Sequence, residues 1–293
     1  MFKLNEGLCA FMTDRMFPSP ELIDLLDLAI KAGLEIMEIY DTDFIVEQKA
    51  DSSGVTEADR RAEAVILTGL ARMYPGVPVV AEEEVAAGRV PDAKDDFFLV
   101  DPLDGTREFV SRNGEFTVNI ARIRQGRPIL GVIYAPVLRV AFAGAEGEGA
   151  YKVGLTDEGE RALPSRLCVR PAPVDGLVAV LSRSHGTAGT QAWLARNPVT
   201  RSVTIGSSLK FCLLADGSAD LYPRLGRTME WDTAAGDAIL RAAGGLVLDL
   251  DGVALRYGKG SSAEPAAYAN PHFVAYADPI LAPPHNPHGT RGL

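Results

Sequence analysis

Residues 97–109, Phe97-Phe98-Leu99-Val100-Asp101-Pro102-Leu103-Asp104-Gly105-Thr106-Arg107-Glu108-Phe109, constrain this chain more than any other stretch. The uncharged run Phe97–Val100 reads as a buried strand. It ends in a carboxylate, and Pro102, which lacks an N–H for the ladder, is expected to stop it. Gly105 permits a tight turn, and Thr106 can open a short helix. Two carboxylates and a hydroxyl are thus packed around one strand end, beside free backbone N–H groups. Carboxylates this close repel unless a cation lies between them. Oxygen-only ligands suit Mg²⁺, which often bridges carboxylates to phosphate. The N–H groups of a helix start suit the phosphate itself. A metal-dependent phosphate site is the first expectation. The plainer alternative is an Asp-Pro turn followed by an Asp cap, built from ordinary turn residues, so the rest of the chain has to decide.

The chain has 293 residues, room for one large or two moderate domains. Its formal charge of −10 argues against a nucleic-acid surface, which would be basic. That charge also opposes a polyanionic substrate, unless bound cations invert the sign of the site. Cys9, Cys168 and Cys212 are far apart with no CxxC, which excludes a Cys-rich zinc site and gives no disulfide framework. A reducing cytoplasm fits, and each cysteine reads as a small buried apolar residue. The first 18 residues have no basic start and no long apolar core, so they read as an extension rather than a signal peptide. No apolar run is long enough to span a membrane.

Ser19-Pro20-Glu21 is a helix start, and Leu22, Leu25, Leu26, Ala29, Ala32, Gly33 and Ile36 carry the helix to about Tyr40. Phe44–Lys49 reads as a short strand and Ala50–Val55 as a turn. Thr56-Glu57-Ala58-Asp59 opens a second helix reaching Met73. Asp59 lies in its first turn, where a carboxylate commonly meets the helix dipole; the alternative is a carboxylate directed at a metal. Val77–Ala81 is a strand followed by Glu82-Glu83-Glu84. An acidic run is usually a solvated face, but here a second strand ends in carboxylate. Strand ends are where open α/β sheets place ligands, which favours the metal reading. Glu115–Arg124, Ile129–Pro136, Val140–Ala143 and Gly149–Val153 read as hairpin-linked strands. A polar, Pro-bearing stretch sets a boundary near 165–175, dividing an extension (1–18), an N-terminal α+β half (19–170) and a C-terminal half (171–293). In the latter, strands at 177–182, 201–205, 219–224 and 246–250 alternate with helices at 187–196, after Gly206-Ser207-Ser208, and from Glu230 to about Ala243.

Asp232 at a helix start is by itself an ordinary cap. Ser208 and Lys210 bring a hydroxyl and a cation to another helix start, a modest phosphate signal without the spacing of a P-loop. Arg224 ends an apolar strand. His185 follows a strand end, where a lone histidine is more often structural than catalytic. There is no G-x-S-x-G elbow and no H-E-x-x-H.

Asp101-Pro102-Leu103-Asp104-Gly105-Thr106 and Glu230-Trp231-Asp232-Thr233-Ala234-Ala235-Gly236 together resemble the two signatures of the inositol monophosphatase superfamily. These are Mg²⁺-dependent, lithium-sensitive phosphomonoesterases. Segments 101–120, 128–136, 182–185, 205–212 and 221–226 look like its CysQ-type 3′(2′),5′-bisphosphate nucleotidase branch, and the resemblance runs from about residue 20 to about 275. It implies an α/β fold of α+β type, a layered αβαβα sandwich shared with fructose-1,6-bisphosphatases. It implies two or three Mg²⁺ ions per site, on Glu82, Asp101, the Leu103 carbonyl, Asp104 and Asp232. Thr106, paired with Asp59, would orient and deprotonate the attacking water. Backbone groups of Gly105 and Thr106 would hold the scissile phosphate, which Glu82, Leu103, Asp104 and Asp232 also face. His185, Ser208, Lys210 and Arg224 match positions that hold the nucleotide or its retained phosphate. Ala81 and Arg107 depart from the usual pattern, where relatives often carry Ser or Gly and Lys.

The activity so implied is hydrolysis of 3′-phosphoadenosine 5′-phosphate to AMP, and of 3′-phosphoadenosine 5′-phosphosulfate, in sulfur metabolism. An inositol monophosphatase or a sugar bisphosphatase shares the metal motifs. A nucleotide sensor without turnover is the non-enzymatic alternative, disfavoured by intact Glu82, Asp101, Asp104, Thr106 and Asp232. No nucleic acid and no obligate protein partner is expected, and a homodimer is left open. Relatives of the branch can be peripheral at the cytoplasmic face of the inner membrane, yet no basic amphipathic helix here accounts for that.

Overall fold

The computed structural model describes residues 18–48, 54–259 and 265–283. The expected extension at 1–18 therefore lies, but for Pro18, outside the described residues, as does the tail beyond residue 283. In order come α1 (Pro20–Tyr40), β1 (Glu47–Gln48), β2 (Gly54–Val55), α2 (Glu57–Met73), β3 (Val79–Ala81), α3 (Glu82–Ala86), β4 (Asp96–Asp104), α4 (Thr106–Val110), β5 (Thr117–Arg124), β6 (Arg127–Ala135), β7 (Val140–Ala145), β8 (Gly149–Gly154) and β9 (Ser165–Leu167). Then follow β10 (Leu177–Ser182), α5 (Ala188–Leu194), β11 (Val199–Ile205), α6 (Leu209–Ala215), β12 (Leu221–Arg224), α7 (Glu230–Ala242), β13 (Leu246–Asp249) and β14 (Phe273–Tyr276).

Strands β3 to β9 form a seven-stranded sheet in sequence order, antiparallel except for the parallel β3–β4 pair. A five-stranded sheet has the order β11-β10-β12-β14-β13. Alternation along β4 explains the layering, because successive side chains leave opposite faces. Phe98 and Val100 pack with Leu22, Leu25 and Ala29 of α1 and Ala58, Ala62 and Ile66 of α2. Phe97 and Leu99 face the other way, onto Trp231, Ala235 and Ile239 of α7, and the same core reaches Val178, Tyr222 and Phe273 of the second sheet. The outer face of that sheet, with Leu177, Leu221 and Val274, is covered by Trp193 and Leu194 around α5. The order of layers is thus helix pair, sheet, helix pair, sheet, helix: the αβαβα sandwich. Asp101 continues the Phe97–Leu99 series and so points toward the α7 layer.

Several local expectations are corrected. β4 does not stop at Pro102; it runs to Asp104, with a register shift between Asp101 and Asp104. A bulge is where a proline is tolerated inside a sheet, since the irregular position needs no ladder N–H. The acidic run forms the first turn of α3, a helix that was not anticipated, and its three side chains are half-buried. Of the expected Phe44–Lys49 strand, the described residues form strand only at Glu47–Gln48, paired with Gly54–Val55 at the end of the expected turn; residues 49–53 lie outside the described residues. β9 and β14 were not anticipated, since three or four residues carry too little alternation to register. Cys212 is a free buried thiol, but Cys168 is disulfide-bonded. Wide spacing in sequence carries no pairing signal.

Candidate metal and phosphate site

Parallel pairing of β3 with β4 sets Ala81 beside Val100, so Glu82, just past the end of β3, and Asp101, at the bulge of β4, come side by side. The start of α7 brings Asp232 to the same point. One carboxylate oxygen from each of Glu82, Asp101 and Asp232 lies within 4.8 Å of the others. Asp101 is 1% exposed and is oriented by its own turn, with Leu103 N–H donating to Oδ1 at 3.0 Å. Asp232 is not the N-cap that its position suggested: Met229 holds that place, and Asp232, inside α7 at N3, accepts the Met229 N–H at 2.8 Å, so one of its oxygens serves the helix start. A carboxylate has a second oxygen for a cation.

Asp104 and Asp232 stand against each other. Burial raises the carboxyl of Asp104, opposed by the Lys210 charge and the Ser208 hydrogen bond. Burial pushes Asp232 up to about 8, with the Asp104 and Glu82 charges adding to it. Buried carboxylates that repel one another form a donor set short of positive charge, and every donor is oxygen. That is the chemistry of a hard divalent cation, so the residues present fit Mg²⁺.

Asp59 is 2% exposed, and its Oδ2 accepts both the N–H and the hydroxyl of Thr56 at 2.7 Å, completing a capping box. Thr106 Oγ1 reaches the Leu103 carbonyl at 3.5 Å. Gly105 precedes α4 at φ 93°, a left-handed conformation open to glycine, which lets the chain turn directly from Asp104 into Thr106.

The cations of the second half gather nearby. Lys210 is 5% exposed, donates to the Ser207 carbonyl and lies 5.5 Å from the Tyr222 ring centroid. Burial brings its ammonium down to about 8, with Asp104 pulling the other way. Arg224 donates to the carbonyls of Arg227 at 2.8 Å and His185 at 3.4 Å, while its Nε is buried without a partner. Ser207, at φ 48°, also has a buried hydroxyl without a partner. His185 is pushed down to about 4 by burial, then by the charges of Arg224 and Arg107, so near neutrality it is an uncharged ring. It lines a cavity of about 200 Å³ with Ser182, Thr190, Gln191, Pro223 and Arg224. A larger cavity of about 430 Å³, between α2 and α3, contains none of the clustered carboxylates.

Sequence reasoning missed three buried polar residues here. Glu108, 3% exposed, accepts the Ser184 hydroxyl and attracts Lys210 and His185. Thr117 and Asn119 sit on the sheet face that carries Asp101, and Asn119 Nδ2 donates to Ser208 Oγ at 2.9 Å. Their signal was two uncharged polar residues at i and i+2, on the same face as buried Ala121 and Ile123.

The model of the inositol monophosphatase family matches residues 20–281. The 3′(2′),5′-bisphosphate nucleotidase CysQ of Escherichia coli (strain K12) is 47% identical over 238 residues, which is 80% of this chain and 93% of that protein. Its namesake in Haemophilus influenzae is 31% identical over 260 residues, 88% of this chain and 93% of that protein. Among solved structures, CysQ from Bacteroides thetaiotaomicron superposes with a TM-score of 0.71 at 38% identity, covering 89% of this chain and 98% of that one. An inositol monophosphatase from Thermotoga maritima gives 0.70 at 25% identity, covering 89% and 94%.

Proposed function

This chain belongs to the inositol monophosphatase family, and from that premise we infer that it is a metal-dependent 3′(2′),5′-bisphosphate nucleotidase. It hydrolyses 3′-phosphoadenosine 5′-phosphate to AMP and phosphate, accepts the 5′-phosphosulfate analogue, is inhibited by Li⁺, and serves sulfur metabolism. The CysQ relatives at 47% identity over most of the chain support the substrate. The observation that carries the reading is a carboxylate cluster beside two buried cations, one of them with an unpartnered Nε. A monophosphate needs the cluster alone. A bisphosphate also needs donors for the phosphate that is kept, and Lys210 and Arg224 offer them.

Glu82, Asp101 and Asp232, with Asp104 and the Leu103 carbonyl, would hold Mg²⁺ ions, two or three per site. When bound, these supply the Lewis acidity that activates water and offsets phosphate charge. The chain's own residues do the rest. Thr106, with Asp59, orients the attacking water and takes its proton. Backbone groups of Gly105 and Thr106 receive phosphate oxygens. His185, Lys210 and Arg224 hold the nucleotide and its second phosphate; the hydroxyl of Ser208, expected to join them, is taken up by Asn119, Asp104 and the Asp232 carbonyl. No helix of the described residues is long and apolar enough to cross a membrane.

Phosphate release with Mg²⁺ tests the reading on 3′-phosphoadenosine 5′-phosphate, inositol 1-phosphate and fructose 1,6-bisphosphate, each with and without Li⁺. Lithium-sensitive preference for the nucleotide is expected. Preference for either of the others overturns the nucleotide assignment and keeps the metal site.

A further inference from the structure

We propose that Thr117, Asn119 and Ser208 form a hydrogen-bond relay that holds the Asp104 carboxylate in the orientation in which it takes a divalent cation. The proposal rests on the metal reading of Asp104 given above. Thr117 Oγ1 donates to Asn119 Oδ1 at 3.0 Å, Asn119 Nδ2 donates to Ser208 Oγ at 2.9 Å, and Ser208 Oγ donates to Asp104 Oδ2 at 2.8 Å. The Asp232 backbone carbonyl lies 2.7 Å from the same hydroxyl. Thr117, Asn119 and Ser208 are 0%, 1% and 2% exposed, so water does not substitute for a missing partner.

The donor direction follows from chemistry. An ionised Asp104 and a backbone carbonyl are both acceptors only, so the single hydroxyl proton of Ser208 must point at one of them. The hydroxyl then needs a donor from behind, and the Asn119 amide supplies it. With its NH₂ turned to Ser208, the amide presents its oxygen to Thr117, whose hydroxyl donates. Each member fixes the next, and the fixed end is the carboxylate. Reversing the amide would surround the single Ser208 proton with three acceptors and leave two of them facing a lone pair.

The placement of the members also argues for positioning. Thr117 and Asn119 are on β5, paired across from Asp104 and Asp101 respectively. Ser208 caps α6, which follows the second sheet's β11, and Asp232 opens α7. One hydroxyl therefore ties both metal-side turns to a rigid central strand. The support of a ligand is a determinant of metal affinity in its own right.

The test is calorimetric titration of Mg²⁺ into the purified full chain without substrate, alongside thermal melts and kinetics with the bisphosphate nucleotide. Thr117→Val keeps the shape and removes the hydroxyl; Asn119→Leu removes the amide; Thr117→Ser restores the donor. Mg²⁺ binding weaker by ~10-fold or more is expected in the first two, with recovery in Thr117→Ser. The Mg²⁺ concentration for half-maximal activity should rise in step, with the KM for nucleotide at saturating Mg²⁺ little changed. A role in fold stability alone would lower the melting temperature and leave Mg²⁺ affinity intact, and that result overturns the relay. Wild-type protein that binds no Mg²⁺ would overturn the metal reading itself, and the relay with it.

Discussion

The backbone N–H of Leu103 donates to Asp101 Oδ1 at 3.0 Å, closing a turn around the carboxylate at the bulge of β4. An asparagine in that place keeps its own Oδ1 for the same bond and gives up only the negative charge. Asp101→Asn should therefore fold normally and lose activity by ~10³-fold or more, if the charge is what recruits the cations. Without metal, its melting temperature should equal or exceed that of the wild type, because one of three clustered carboxylates has been neutralised. Phosphate-release assays and metal-free melts measure both. Near-wild-type turnover would remove Asp101 from the site.

Arg224 makes bonds to two carbonyls and keeps a buried Nε without a partner. Arg224→Ala should raise KM for the bisphosphate by about 10- to 100-fold and change kcat less, because the group binds a part of the substrate that does not react. Steady-state kinetics on the bisphosphate and on the matching 3′-monophosphate provide the check. The variant should lose discrimination between them. An unchanged KM would place the retained phosphate elsewhere.

Lys210 gives a pH signature. Burial brings its pKa down to about 8, and Asp104 holds it from falling further. The cation, and with it anion binding, is lost as pH rises through that value, so kcat/KM should fall above about pH 8. Cations on Asp104 cancel the attraction that retains the proton, so raising Mg²⁺ should move this limb to lower pH. Lys210→Arg should abolish the limb, since guanidinium stays charged. A limb that shifts upward with Mg²⁺ would contradict the assignment.

Glu63 on α2 is 4% exposed and accepts the Glu83 N–H at 2.9 Å. Burial pushes its carboxyl up to about 8 from a reference of 4.5. Between those values the folded protein holds a proton that the unfolded chain has released, so stability falls as pH rises through the window. Glu63→Gln, which can still accept from Glu83, should flatten that dependence and melt a few degrees (~5 °C) above wild type near pH 8. Parallel melting curves for the two proteins would invalidate the buried-acid assignment.

An ideal Cβ at Gly131 would stand 2.3 Å from the Ala235 carbonyl oxygen, where β6 crosses α7. Gly131→Ala must push the helix away from the sheet and should cost about 1–3 kcal/mol by denaturant melt. Since α7 carries Asp232, Mg²⁺ affinity should fall with it. A variant as stable as wild type would mean that the helix yields there freely.

The helices were the most legible part. Ser19-Pro20 and Thr56 mark the starts of α1 and α2 by capping chemistry, and the apolar spacing behind them gives their buried faces. β4 was legible as a strand but not in its length, because a bulge that accommodates Pro102 depends on the partner strand rather than on the residues bulged. Asp59 was read as either a helix-dipole partner or a metal-directed carboxylate. It closes the capping box of α2 and is buried as well, a combination that spacing does not reveal.

By itself, the sequence determined which residues sit at strand and helix ends. Asp104, Glu82 and Asp232 each end or open an element through local backbone chemistry, while Asp101 sits at the bulge inside β4. Local chemistry acts over a few residues, so it cannot say which ends meet. Only the tertiary structure set Asp104 against Ser208, 104 residues later, and chose Asn119 as the donor behind that hydroxyl. Burial made those choices: once water is excluded, each polar group must find its partner across the core, and only the packed layers decide which one is within reach.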